Sequence, residues 1–205
     1  LPAHARGGAH RQPVALGVDA TLAIGAVGTL LCLLLFLCTG MIYACLKFLQ
    51  EWHTPLTVIN YLLFGCASGL MLATAYAAVV EPGLVNYIAA WAVGFTLAAL
   101  VTRGASLVRN ARLKPKSSLQ TAIGVKHPRI VQKAQGAMGG SFNTREFFHG
   151  ASDGFFRSIK WWLLVAVFPV PLALLGLGLA AGAPALLAAA FLVQYLGLLA
   201  ERWYF

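Results

Sequence analysis

Charge is scarce in this chain, and histidine is missing from every stretch apolar enough to cross a bilayer. Only 10% of the 205 residues are charged, against 60% hydrophobic. A soluble domain would carry about a quarter charged residues. The shortfall, with a mean hydropathy of +0.77, excludes a water-soluble fold. All five histidines (His4, His10, His53, His127 and His149) fall outside the apolar runs. A haem-bearing anchor needs imidazoles at membrane depth to hold iron, so no haem is expected and any electron work the chain does must use a diffusible or externally bound carrier. Cys32, Cys38, Cys45 and Cys66 form no CxxC pair. Their spacing does not suit an iron–sulfur cluster, and they read as small buried side chains.

Other absences narrow the chemistry. There is no paired carboxylate, no nucleophile–base motif and no phosphate-binding loop, since Gly139-Gly140-Ser141 is too short for one. No charged residue lies in the middle of an apolar run. Asp19, Glu81, Arg103, Lys160 and Glu201 fall at the ends, where side chains are expected to reach water. Pumps and transporters usually place ionisable groups at depth, so a transporter is the weaker reading.

What is present is five long apolar runs, which predict an all-α, polytopic transmembrane helix bundle. A polar, basic segment, 1–17, precedes three spans within 18–107: Val18 to Leu46, Leu56 to Val80 and Leu84 to Leu107. A long basic connection, 108–158, leads to two more spans within 159–205, from Ile159 to Ala180 and from beyond Gly182-Ala183-Pro184 to Arg202. Each is near or above the roughly 20 residues that cross the hydrocarbon, and a helix satisfies its own backbone there. Pro169 and Pro171 should kink the fourth span. Gly65 and Gly69 form a GxxxG stripe, and Gly176, Gly178 and Gly182 thin the end of the fourth span, where small residues let backbones approach closely.

Lys and Arg are unevenly placed. The side that holds Glu81-Pro82-Gly83 and Gly182-Ala183-Pro184 has only Arg6 and Arg11 of the fifteen, and the other side has the remaining thirteen. The positive-inside rule makes that richer side cytoplasmic. The 108–158 connection is long enough to be functional or partner-bound. The stretch from Arg103 to Lys116 reads as a lipid-facing basic segment. Beyond it the connection carries Lys126, His127, Arg129, Arg145, Phe147, Phe148 and His149, the aromatic and Arg anchors of a protein interface. Nucleic acid is not an expected partner, because the basic residues sit against a membrane with no binding-fold pattern.

Between the first two spans lies Gln50-Glu51-Trp52-His53-Thr54-Pro55-Leu56-Thr57. Thr54-Pro55 fits a helix start, and Trp52 fits an interfacial aromatic belt. One reading is a simple boundary turn. The other is a quinone headgroup site, which needs a donor, a proton-exchanging group and an aromatic wall. His53, Trp52 and Glu51 supply these types, with Tyr43 and Lys47 within two turns before them, and imidazole exchanges protons near neutral pH.

Met41-Ile42-Tyr43-Ala44-Cys45 through Thr57, Lys126-His127-Pro128-Arg129 through Phe142-Asn143-Thr144-Arg145-Glu146-Phe147-Phe148-His149, and Glu201-Arg202-Trp203-Tyr204-Phe205 resemble the anchor subunits of the dimethyl sulfoxide reductase type. The resemblance runs from about Leu30 onward. It implies eight spans, of which this chain holds the last five, in a bacterial inner membrane. It further implies a docked iron–sulfur subunit, a molybdopterin catalytic subunit and electron exchange with a membrane quinone, ubiquinone or menaquinone. Family quinone-site residues in the earlier spans cannot be carried over. Exported members place their catalytic subunits in the periplasm, against the charge asymmetry here, whereas similar sulfite-oxidising relatives keep them in the cytoplasm. The charges favour the second arrangement. A pure scaffold remains the rival reading.

Overall fold

The computed structural model describes residues 14–47, 49–114, 120–121, 124–125, 127, 129 and 153–204, with side chains placed from 20 and, in the later part, from 158 to 202. Among these residues it is entirely helical. α1 is Val14–Ala44, α2 is Pro55–Val80 and α3 is Val85–Ala111, joined to α2 by a short 3-10 turn at Pro82–Leu84. α4 is Asp153–Val167, α5 is Pro169–Ala181 and α6 is Pro184–Tyr204. Five stretches are long and apolar enough to cross a membrane: Ala20–Ala44, Pro55–Val80, Pro82–Ala111, Ser158–Ala181 (α4 and α5 together) and Pro184–Arg202.

The helices are inverted relative to a soluble bundle. Large apolar residues such as Leu31, Leu35, Tyr76, Val79, Val101, Leu177 and Leu196 face outward. The buried stripes are narrow and carry the small and polar residues. On α2 the stripe is Thr57, Asn60, Phe64, Ala67, Met71 and Thr74. On α3 it is Ala89, Ala92, Thr96, Ala99, Arg103 and Ser106. On α6 it includes Leu187, Ala190, Gln194 and Glu201. The alternating steps of three and four are a heptad seam, which suits gently supercoiled neighbours. Lipid solvates the outer face, so association depends on close packing and interhelical hydrogen bonds.

α2 packs against α1, α3 and α6, and α5 lies against α6. Met71, Ala75, Ala89, Leu175, Leu187 and Ala190 form one buried cluster, and Phe64, Ala99, Val167 and Phe168 form a second. Side chains of α3 and α6 meet at two levels with the same 98-residue separation: Gln194 on Thr96, and Glu201 on Arg103. The repeated separation means the two helices run parallel, with the levels about 10 Å apart at 1.5 Å per residue.

Two glycines explain close approaches. A Cβ on Gly65 would come within 2.6 Å of Phe36 Cζ, so the Phe36 ring of α1 occupies the space that this glycine leaves on α2. A Cβ on Gly178 would come within 2.7 Å of Leu187. Gly69 and Gly176, by contrast, have open space where a Cβ would stand. The GxxxG stripe therefore seats a neighbour at one glycine only. Gly182 ends α5 with φ of 59°, a left-handed cap that glycine adopts without strain.

The expected break in the fourth span lies at Phe168, between α4 and α5. Pro171 cannot donate to the carbonyl four residues earlier, which is that of Val167. Gln194 Nε2 donates to Val167 O at 3.5 Å and to Thr96 Oγ1 at 3.3 Å. A side chain at the centre of α6 thus replaces a backbone donor that proline removed.

Two expectations are corrected here. Arg103 and Glu201 do not reach water: each is 4% exposed, and they pair with one another. α3 continues eight residues past Arg103, which leaves the side chain inside the bundle, where a partner of opposite charge is the remaining way to satisfy it. The cysteines are not all buried either. Cys32, Cys38 and Cys45 are exposed and Cys66 is half-buried. α1 touches its neighbour along one edge, with Gly40 its one buried residue among those described, and thiols are apolar enough to face lipid.

Candidate functional site

The polar side chains gather where α1 ends, α2 begins and α3 and α6 finish. The α1–α2 turn is held by its own backbone and by three side chains. Trp52 N and His53 N both donate to Leu49 O, at 3.0 and 2.9 Å. Thr54 caps α2, its hydroxyl accepting from Leu56 N at 3.4 Å, with Pro55 at the first helical position. Thr57 Oγ1 donates to Trp52 O at 2.8 Å. Arg109, from the last turn of α3, donates through both Nη atoms to Gln50 O, at 3.2 and 3.1 Å. This arginine was expected to face lipid in a basic segment; it fixes the turn because a guanidinium carries a fork of donors that one carbonyl can receive.

The turn presents an aromatic cluster. Tyr43 meets Trp52 edge-on at 5.1 Å between ring centres and stacks on Tyr61 at 5.5 Å. Arg202 lies with its guanidinium carbon 3.8 Å from the Tyr61 ring centre and 5.5 Å from that of Phe64. All four polar-edged members (Tyr43, Trp52, Tyr61 and Arg202) are half-buried. His53 is exposed, and its Nδ1 lies 2.6 Å from Ala44 O. A carbonyl oxygen can only accept, so Nδ1 carries the proton and Nε2 is the acceptor of the neutral ring.

Beneath the cluster lies a buried polar layer. Asn60 Nδ2 donates to Ser106 Oγ at 2.9 Å, and Thr102 Oγ1 donates to Asn60 Oδ1 at 2.7 Å. Glu201 pairs with Arg103 and lies 3.4 Å from Arg202 Nε. Buried carboxylates persist in membranes when charge and hydrogen bonds are supplied on the spot.

Of the five residues expected to serve a quinone, Tyr43 and Trp52 are brought into contact, and His53 is fixed beside them. Glu51 is half-buried in the same turn and Lys47 is exposed. Of the seven docking candidates, Lys126, Arg145, Phe147, Phe148 and His149 lie outside the described residues. His127 and Arg129 are exposed, with Arg129 N donating to His127 Nδ1 at 3.0 Å and Gln120 Nε2 donating to His127 O at 3.2 Å. Tyr61, Arg202 and Arg109 were missed. Their signal was weak but present: a tyrosine one turn after Thr57, and arginines on the last turns of two spans that finish on the same side.

Comparison with known proteins gives the family of the chain. A family model described as the DMSO reductase anchor subunit (DmsC) matches residues 13–127. The sulfite dehydrogenase C subunit of Allochromatium vinosum is 57% identical over 191 residues, which are 93% of this chain and 59% of the relative. The chain thus spans under two thirds of the length of the curated relative it matches. No solved structure matches it. With more than half the chain matched by the family model and five membrane-length helices in place, the chain belongs to the DMSO reductase anchor subunit family.

Proposed function

We propose that this chain anchors a molybdopterin and iron–sulfur oxidoreductase in the bacterial inner membrane and exchanges its electrons with a membrane quinone at the turn between α1 and α2. An iron–sulfur subunit would dock on the basic side, through the 108–158 connection, and a molybdopterin subunit would act on sulfite beyond it. The sulfite assignment rests on the relative's name, and the cytoplasmic placement on the thirteen basic residues of that side.

The observation that carries the quinone reading is the contact of Tyr43, Trp52 and Tyr61 beside an imidazole of defined tautomer. These residues fit a quinone headgroup: flat rings for stacking, a proton-exchanging nitrogen, and a position at the end of the helices, where a lipid-borne ring and a water-side partner can both approach. A bound quinone would supply the uptake or release of two electrons with two protons. His53 holds its Nδ1 proton on Ala44 O, so Nε2 can accept a proton from a headgroup hydroxyl or, when the ring is protonated, return one. Tyr43 and Trp52 would exclude water from one side of a bound headgroup. Arg109 and Thr57 keep the turn in place.

His53→Leu in the assembled complex tests the reading. Quinone-coupled turnover should fall by about 10²-fold, the scale of a lost general acid–base group, while turnover with an artificial dye acceptor persists. Equal rates with quinone before and after the change remove His53 from the site. A pure scaffold would show no saturable fluorescence quench with a quinone analogue in any form of the complex.

A further inference from the structure

Glu201 stands between two guanidinium groups. Arg103 reaches it from α3, and Arg202, the next residue in the chain, presents Nε at 3.4 Å from the second carboxylate oxygen. One carboxylate and two cations leave one net positive charge. Arg103 and Glu201 are enclosed, with side chains 5% and 6% exposed, whereas that of Arg202 is 28% exposed. The charge is therefore anchored inside the bundle and open on the Arg202 flank.

Arg202 lies on the Tyr61 ring, close enough for a cation–π interaction. Tyr61 stacks on Tyr43, Tyr43 touches Trp52, and His53 follows Trp52 in the chain. In order of contact the cluster thus runs from an imidazole at one end to a guanidinium at the other.

We infer that Arg202 is the residue that donates to one headgroup oxygen of the quinone, held at the edge of the Tyr61, Tyr43 and Trp52 cluster. This rests on the quinone reading above and adds its second polar contact. The planar fork of donors suits a carbonyl oxygen, and a fixed cation beside that oxygen favours the gain of electrons by the ring. Arg103 and Glu201 are positioning residues: they hold the Arg202 side chain over Tyr61 and touch no ligand themselves.

The test uses the whole complex in nanodiscs and an alkyl hydroxyquinoline N-oxide as fluorescent probe. Arg202→Lys and Arg202→Gln are compared with the parent and with His53→Leu by quench titration, quinone KM and dye-coupled turnover. The lysine variant keeps the charge that supports folding and loses the fork. It should weaken probe binding about tenfold, the size of one charge-assisted hydrogen bond, raise the quinone KM similarly, and leave dye turnover alone. Probe affinity unchanged in both Arg202 variants but lost in His53→Leu overturns the Arg202 assignment and spares the site. No saturable quench in the parent overturns the quinone reading itself. If the variants alter only the competition between cardiolipin and probe, Arg202 holds a lipid phosphate and the proposal falls. Should the glutamine form lose its partner subunits, the lysine form decides.

Discussion

Gln194 and Arg103 show how single polar residues work where water is absent. Gln194→Leu keeps the volume but withdraws the donor from Val167 O, which Pro171 already leaves without its helical partner. The expected cost is about 1–3 kcal/mol, the penalty of an unsatisfied buried acceptor, read as a fall in unfolding midpoint in mild detergent. A midpoint equal to the parent's would mean the carbonyl finds another donor. Arg103→Leu should cost more, about 3–5 kcal/mol, because Glu201 would then be buried with its main counter-charge gone. Adding Glu201→Leu should recover much of that loss, since two apolar residues desolvate nothing. A double variant as unstable as the single one would show that Arg103 acts through something besides Glu201. Neither role could be read from the sequence. Arg103 lies near the end of an apolar run, and position alone does not distinguish a side chain that reaches water from one that turns inward to a carboxylate 98 residues later. The proximity of Tyr43, Trp52 and His53 could be read from the sequence because they lie within eleven positions of the chain. Tyr61 and Arg202 join them only through packing.

At the scale of elements, the helices themselves were written in the apolar runs, since a bilayer demands length and backbone self-sufficiency and little else. What the runs did not disclose is which face turns inward. In lipid the apolar residues need no burial, so the informative residues are the small and polar ones spaced at three and four. The GxxxG stripe illustrates the limit: it names two glycines, and only Gly65 meets a neighbour. Gly65→Ala should therefore push Phe36 and separate α1 from α2, at about 1–3 kcal/mol for overpacking, while Gly69→Ala has open space and should be nearly silent. Disulfide trapping between engineered cysteines on α1 and α2 would report the separation; equal trapping in both variants would deny that Gly65 sets the crossing. The turn between these helices has its own latch. Arg109→Gln removes the forked contact with Gln50 O, and hydrogen exchange at residues 49–54 should then accelerate more than at the ends of α5 and α6. If exchange stays unchanged, Thr54, Thr57 and the turn's own bonds suffice to hold it.

For the whole molecule, the decisive quantity is sidedness, because it fixes where the proposed redox partner would sit. α3 and α6 run parallel and finish on one side, α2 starts there, and the aromatic cluster, the buried ion pair and the 108–158 connection share that side. Thirteen of the fifteen basic residues lie there too, and a short loop rich in Lys and Arg resists translocation. A docking connection can also be basic to meet an acidic partner, so composition alone supports two arrangements with opposite outcomes. Replacing Cys32, Cys38, Cys45 and Cys66 by alanine or serine gives a background for single reporters. Lys114→Cys stands just beyond α3 and Gly83→Cys in the tight break on the opposite side. With an impermeant maleimide, Gly83→Cys should label in intact spheroplasts and Lys114→Cys only after the membrane is opened. The reverse pattern would place the proposed catalytic partner outside the cytoplasm and would make the Lys and Arg excess a feature of docking. The cluster around Tyr61 would keep its geometry in either case, but under the proposed function the protons exchanged with a quinone would come from the other compartment.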